Sequence, residues 1–169
     1  VITRDFIPSC MPQYVLHYFN MMGLAEPIRL AFALAGVEYE DKRYSGDEWK
    51  QFKPSTPVGQ MPVLEVDGKM LSQSGAILRY VGSEYGTCQI WPAKITCFAF
   101  SQFHLQRNSF RQCRCVTIAD LKAFHILRMV TDGNADLLAD MPKVAENITK
   151  VGTLPNIKEW VEKRPPTVM

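Results

Sequence analysis

The chain has 169 residues, a formal net charge of +2, and 47% hydrophobic and 21% charged residues. That length holds one medium domain or two small ones, and the composition is that of a folded globular protein, which excludes a disordered chain. The charge is too balanced for a nucleic-acid binder, and no apolar run approaches the ~20 residues that span a bilayer. The opening VITRDFIPSC lacks the apolar core of a secretory leader. The 5 cysteines, at positions 10, 88, 97, 113 and 115, are an odd set without disulfide-framework spacing. Cys113 and Cys115, even with His104 nearby, match neither a redox pair nor a zinc knuckle. Reduced thiols in a cytoplasmic protein, with no metal, are the expectation.

Taken in chain order, Tyr14–Tyr18 (YVLHY) alternates, is rich in β-formers and reads as a strand. Gly23-Leu24 breaks it. Ala25-Glu26-Pro27 opens a helix with proline in its first turn, apolar at Ile28, Leu30, Ala31, Phe32, Leu34 and Ala35 and ended by Gly36. Val37–Tyr44 reads as a second strand, and Gly46–Phe52 as a charged connection, irregular or helical. Met61–Val66 and Lys69–Leu71 form a hairpin about Asp67-Gly68, a strong turn signal. Gln73–Tyr85 is a helix ended by Gly86. The order β-α-β-(α)-β-β-α over residues 13–86 predicts a thioredoxin-like α/β domain.

Residues 87–116 show no clean helical period. Ile95, Cys97, Phe98, Phe100 and Phe103 crowd together, then basic residues follow without acids, and we read an atypical linker. Thr117-Ile118-Ala119-Asp120 is a capping box in its broad form, flanked by Val116 and Leu121 as a hydrophobic staple. Leu121, Phe124, Leu127 and Arg128 continue it as a buried helix. Two more helices are expected at Pro142–Val151 and Pro155–Lys163, stopped by Arg164-Pro165-Pro166. Residues 117–166 thus form an all-α region.

The stretch 53–77, KPSTPVGQMPVLEVDGKMLSQSGAI, carries the chemistry. A proline at a strand entrance donates no ladder hydrogen bond. If the Met61-Pro62 bond is cis, the Met61 backbone groups can face a ligand. Gln73-Ser74 at a helix N-terminus offers free N–H groups to a carboxylate. Together these features read as a backbone clamp for a peptide-like anion.

This order of features, with YVLHYFNMMGLAEPIRL at the first strand, resembles the sigma class of cytosolic glutathione S-transferases, which includes the haematopoietic type of prostaglandin D synthase and many helminth enzymes. The resemblance covers residues 13–92 and 116–166. It implies that Tyr18 is the catalytic hydroxyl, hydrogen-bonded to the glutathione sulfur. Trp49 and Lys53 would contact the glycine end of glutathione. Gln60, Met61 and Pro62 would flank the cysteinyl peptide, which pairs with the Met61 backbone. Gln73 and Ser74 would hold the γ-glutamyl group. No cofactor is implied beyond glutathione as co-substrate. The implied partners are glutathione, a hydrophobic electrophile and a second copy of the chain, with no nucleic acid and no membrane. A free thiol has a pKa of about 8.5, and the thiolate is the nucleophile, so a donor at the sulfur is what this chemistry needs.

Two departures stand out. Where the family usually has arginine before Gly23, this chain has Met22, which has no charge and no donor; weaker thiol activation follows. The family's two long helices, each of roughly 20 residues or more, do not fit between Trp91-Pro92 and Thr117. Residues 94–115 look foreign to the family, so the helical domain reads as truncated, with apolar surface left bare on its neighbours. No counterpart is found for the acidic residue that the class sends into the partner's site. Phe52 sits where some classes place an aromatic lock. The alternative reading is therefore a non-catalytic relative that keeps the fold and binds glutathione weakly. A thioredoxin-like redox role is disfavoured, because no cysteine lies near Tyr18 or Pro62.

Overall fold

The computed structural model describes residues 12–86, 116–131 and 135–167. Residues 87–115 of the expected linker, with Cys88, Cys97, Cys113, Cys115 and His104, lie outside the described residues, as does Cys10.

Strand β1 (Tyr14–Phe19) turns through residues 20–25 into helix α1 (Glu26–Ala35), which crosses back to β2 (Glu40–Tyr44). Helix α2 (Gly46–Phe52) and a 3-10 turn (Lys53–Ser55) lead to the hairpin β3 (Val63–Val66) and β4 (Lys69–Ser72), then to α3 (Ser74–Glu84). The sheet order is β2-β1-β3-β4. β1 runs parallel to β2, with Leu16 beside Asp41, and antiparallel to β3, with Leu16 beside Leu64. This is the order the sequence predicts. The second strand begins at Glu40 instead of Val37, because residues 37–39 only bring the chain from α1 to the sheet edge. Asp67 and Gly68 both take positive φ, 48° and 79°, as the primed turn of a two-residue hairpin requires.

Period-two alternation sends Tyr14, Leu16 and Tyr18 to one face of β1, where they are buried against α1, α3 and the C-terminal helices. Val15, His17 and Phe19 face the other way, and α2 covers that side: Phe52 stacks on His17 at 4.7 Å.

The all-α part contains α4 (Ile118–Thr131), a 3-10 turn (Ala135–Leu138) that the sequence does not signal, α5 (Pro142–Gly152) and α6 (Pro155–Lys163). The predicted capping box is present. Thr117 N donates to Asp120 Oδ2 at 2.8 Å, and Asp120 N donates to Thr117 Oγ1 at 3.4 Å. Asp120 Oδ1 also accepts from Asn147 Nδ2 at 2.9 Å, which ties α4 to α5. Leu121, Phe124, Val151 and Ile157 join Leu16, Ile28, Phe32 and Ile77 in one hydrophobic cluster, so the two parts of the chain share a core. Ile126, Met129 and Val130 on α4 are exposed. No helix among the described residues is long and apolar enough to cross a membrane.

Candidate functional site

Strand directions bring the sequence-predicted residues to one end of the sheet. The parallel strands β1 and β2 both finish there, at Phe19 and Tyr44. β3 starts there, with Val63 beside His17, and β4 finishes there, with Ser72 beside Val63. The residues just past or before those ends therefore gather: Tyr18 and the turn after it, α2 with Trp49 and Lys53, Gln60–Pro62, and Gln73-Ser74.

Tyr18 is buried and lines a cleft. Its Oη accepts the Leu24 backbone N–H at 3.1 Å. A phenol oxygen can accept and still donate its own hydrogen, and among the described residues no acceptor takes that hydrogen. The reason Oη can sit there is Gly23. A Cβ at Gly23 would lie 2.6 Å from Tyr18 Oη, and its φ of 37° also disfavours a side chain. The sequence marks Gly23 only as a break; its close approach to Tyr18 is a tertiary fact.

Beneath that turn lies a buried charge cluster. Arg29 Nη1 donates to Met21 O at 2.9 Å and to Glu26 Oε2 at 3.2 Å, while Arg29 Nε donates to Asp41 Oδ1 at 3.1 Å. The Arg29 guanidinium carbon lies 5.9 Å from the Tyr18 ring centre. Glu26 Oε1 accepts from Trp160 Nε1 at 3.0 Å and from Arg164 Nη1 at 2.9 Å. Burial alone would raise the Glu26 carboxyl, yet these donors together hold it below the usual carboxylate range. Met22 is buried beside this cluster, and its sulfur accepts from Arg164 Nη1 at 3.1 Å. Sequence reasoning singles out Met22 but misses Arg29, Trp160 and Arg164. The one local signal is Glu26 and Arg29, two charges three apart within an apolar helix.

Helix α2 is started by a full capping box, with Ser45 N donating to Glu48 Oε2 at 2.7 Å and Glu48 N to Ser45 Oγ at 3.4 Å. Trp49 packs its ring edge-on to Phe19 at 5.9 Å. Lys53 is exposed at the far end. Phe52 is stacked on His17 and on Tyr44, at 4.7 and 4.8 Å, and covers part of the outer face of its own sheet while staying half-buried.

The Met61-Pro62 bond is cis. Pro62 is buried, Met61 half-buried and Gln60 exposed. Gln73 stands at the N-cap of α3 with φ 77° and ψ 111°, and its side chain makes no cap hydrogen bond. A positive φ at a non-glycine residue costs on the order of 1–3 kcal/mol and concentrates at functional sites. The exposed Gln73 amide and the first N–H groups of α3 thus remain open to a ligand. Ser74 shares with Tyr18, Gly23, Leu24, His125 and Met129 a cleft of about 280 Å³. Burial holds the His125 imidazole below the ordinary histidine range, so it is neutral near pH 7. Among the described residues no group of three or more His, Cys, Asp or Glu side chains is placed to hold a metal ion.

Comparison with known proteins agrees with this geometry. The profile of the glutathione S-transferase N-terminal domain matches residues 14–83, and that of the C-terminal domain matches residues 99–164. The second match begins inside the stretch where the resemblance of the bare sequence lapses. Glutathione S-transferase 1 of Ascaris suum is 33% identical over 205 aligned positions, covering 93% of this chain and 99% of that protein. That alignment is longer than the 169-residue chain, so it opens gaps in this chain. Haematopoietic prostaglandin D synthase of Gallus gallus is 51% identical over 76 residues, 45% of this chain and 37% of that one. Among solved structures, monomeric Na-GST-3, a glutathione S-transferase of the hookworm Necator americanus, superposes with a TM-score of 0.76 at 29% identity, covering 93% of this chain and 100% of that one. With its thioredoxin-like sheet, its helical second half and these matches, the chain belongs to the glutathione S-transferase family.

Proposed function

We propose that the chain conjugates the glutathione thiolate to small apolar electrophiles, and that Tyr18 is the residue that stabilises the thiolate. The observation that carries this reading is the Tyr18 hydroxyl: it accepts Leu24 N–H at 3.1 Å, its own hydrogen has no acceptor among the described residues, and it lines the adjoining cleft. In this reading the thiol loses its proton to solvent and the Tyr18 O–H donates to the sulfur. The thiolate forms a C–S bond at the electrophilic carbon, and the leaving group departs with the bonding pair. Where the acceptor is a prostaglandin endoperoxide, the same thiolate would assist an isomerisation. The γ-glutamyl carboxylate is assigned to Ser74, to the first N–H groups of α3 and to Gln73. The cysteinyl peptide is assigned to the Met61 backbone beside Gln60 and Pro62, and the glycine carboxylate to Lys53 with Trp49.

In this reading residues 13–86 form the glutathione domain, 87–116 an atypical linker and 117–166 a shortened helical domain. The protein is cytoplasmic, of sigma-class type, serves detoxification and forms a homodimer. The test is calorimetric titration with glutathione, together with conjugation of an aromatic halide by the wild type and a Tyr18→Phe variant. A donor that lowers a thiol pKa from about 8.5 to about 6.5 raises the thiolate fraction at pH 7 from about 3% to about 75%, so the variant should lose roughly twentyfold in turnover while still binding. One observation favours the second reading, a glutathione-binding relative without turnover: Met22 is uncharged and its sulfur is engaged by Arg164. Binding without turnover in the wild type would select it.

A further inference from the structure

The turn that sets Tyr18 is held from far along the chain. Arg164 follows α6 and is separated by 138 residues from Glu26, yet its Nη1 donates to Glu26 Oε1 at 2.9 Å and to Met22 Sδ at 3.1 Å. Three residues on, Thr167 Oγ1 accepts from Arg43 Nη1 at 2.8 Å, and that same Nη1 donates to Asn20 Oδ1 at 2.7 Å. The segment 164–167 therefore reaches both ends of the turn: Asn20 through Arg43, and Met22 and Glu26 through Arg164. Glu26 is 1% exposed and Arg29 fully buried, so the charges that link Arg164 to the turn are shielded from solvent. From Glu26 the cluster continues through Arg29, which donates to Met21 O and lies over the Tyr18 ring. Between Arg164, Met22, Glu26 and His125 remains a cavity of only about 20 Å³, room for a single water.

We infer that Arg164 is a positioning residue for Tyr18: its guanidinium clasps Met22 and Glu26, fixing the turn whose Leu24 N–H orients the Tyr18 hydroxyl. It touches neither substrate nor sulfur. It brings a guanidinium from far along the chain to Met22, a residue with no charge of its own. A methionine sulfur is a weak acceptor, so the Glu26 contact is the stronger half of the clasp and Met22 mainly gives it shape. This inference rests on the reading of Tyr18 as the thiolate-stabilising group.

The experiment compares wild type with Arg164→Met, Arg164→Lys and Met22→Leu. Two quantities are read on each folded protein: the pH midpoint of the ultraviolet thiolate band of bound glutathione, and hydrogen exchange at the Leu24 amide without ligand. Arg164→Met should raise the midpoint by about one pH unit, a tenfold loss of thiolate at low pH, and speed Leu24 exchange, with the KM for glutathione little changed. Arg164→Lys keeps a charge beside Glu26 and should recover most of both effects. Met22→Leu should shift both slightly in the same direction. An unmoved midpoint and unmoved Leu24 exchange in Arg164→Met would overturn the clasp and leave Arg164 as an ordinary ion pair. Should Arg164→Met fail to fold, the same two readings on Arg164→Gln, which keeps polar bulk but loses the charge, decide: no shift in that variant overturns the proposal. A wild type that forms no bound thiolate at all would sink the transferase reading instead, and Leu24 exchange alone would then decide the clasp.

Discussion

A single hydrogen bond, Leu24 N–H to Tyr18 Oη, sets the direction in which the hydroxyl hydrogen is offered. It exists because Gly23 is a glycine, and this gives a prediction sharper than removal of Tyr18 itself. In Gly23→Ala the new methyl would meet Oη at 2.6 Å, so the ring must tilt or the turn must open. Conjugation by this variant should fall by about tenfold or more, by analogy with displacement of a single preorganised donor, while calorimetric binding of glutathione remains. Retained turnover would show that the Leu24 contact is dispensable. At this scale the sequence is partly legible. Tyr18 stands out because a strand ends in it, and Gln73-Ser74 because a helix begins there. The positive φ of Gln73 cannot be read, since glutamine carries no preference for it. Nor can Arg164, because nothing local links residues 138 positions apart.

Among the elements, α2 depends on one histidine and α4 on one aspartate. His17 is buried on the outer face of β1, with Nδ1 paired to the Tyr44 hydroxyl at 2.8 Å and Phe52 of α2 stacked upon it. Burial lowers its pKa, Glu65 and Glu40 pull it back up, and Lys42 lowers it further; the net direction is down. A histidine whose folded pKa is depressed stabilises the fold fully above its unfolded value of about 6.5 and loses that contribution as pH falls through the folded value. His125 acts with the same sign. Urea midpoints should therefore decline as pH is lowered from 7 towards 5, and His17→Phe should flatten part of that decline. A slope unchanged by the substitution would remove His17 from the account. For α4, Asp120 accepts from Thr117 and from Asn147. Replacing a capping residue by alanine costs about 1–2 kcal/mol. Asp120→Ala should thus lower the melting temperature by about 2–8 °C at roughly 2–4 °C per kcal/mol. Calorimetry of the unfolding transition checks this. The capping boxes at Ser45 and Thr117 involve residues only three apart, which is why the second is legible from the residue order alone. The stacking of Phe52 on His17 and Tyr44 joins residues far apart in the chain, so the residue order alone does not show it.

The molecule as a whole is joined by a shared core and by one carboxylate. Ile118, Leu121, Phe124, Val151 and Ile157 pack in the same cluster as Leu16, Ile28 and Ile77, and Glu26 is bonded from both halves. A small domain with one core unfolds in one step. Denaturation should accordingly give coincident transitions for tryptophan fluorescence, which senses Trp49, Trp91 and Trp160, and for far-ultraviolet circular dichroism. Separated transitions would mean that the sheet and the helices are independent units. Arg164 adds a constraint of timing. In translation at about 5–20 residues per second, the 138 residues between Glu26 and Arg164 take roughly 7–28 s to make. Through that interval the emerging chain carries Met22 and Glu26 but not the guanidinium that bonds to both. A polypeptide ending short of Arg164 would hold that turn through the Arg29 guanidinium, without that of Arg164.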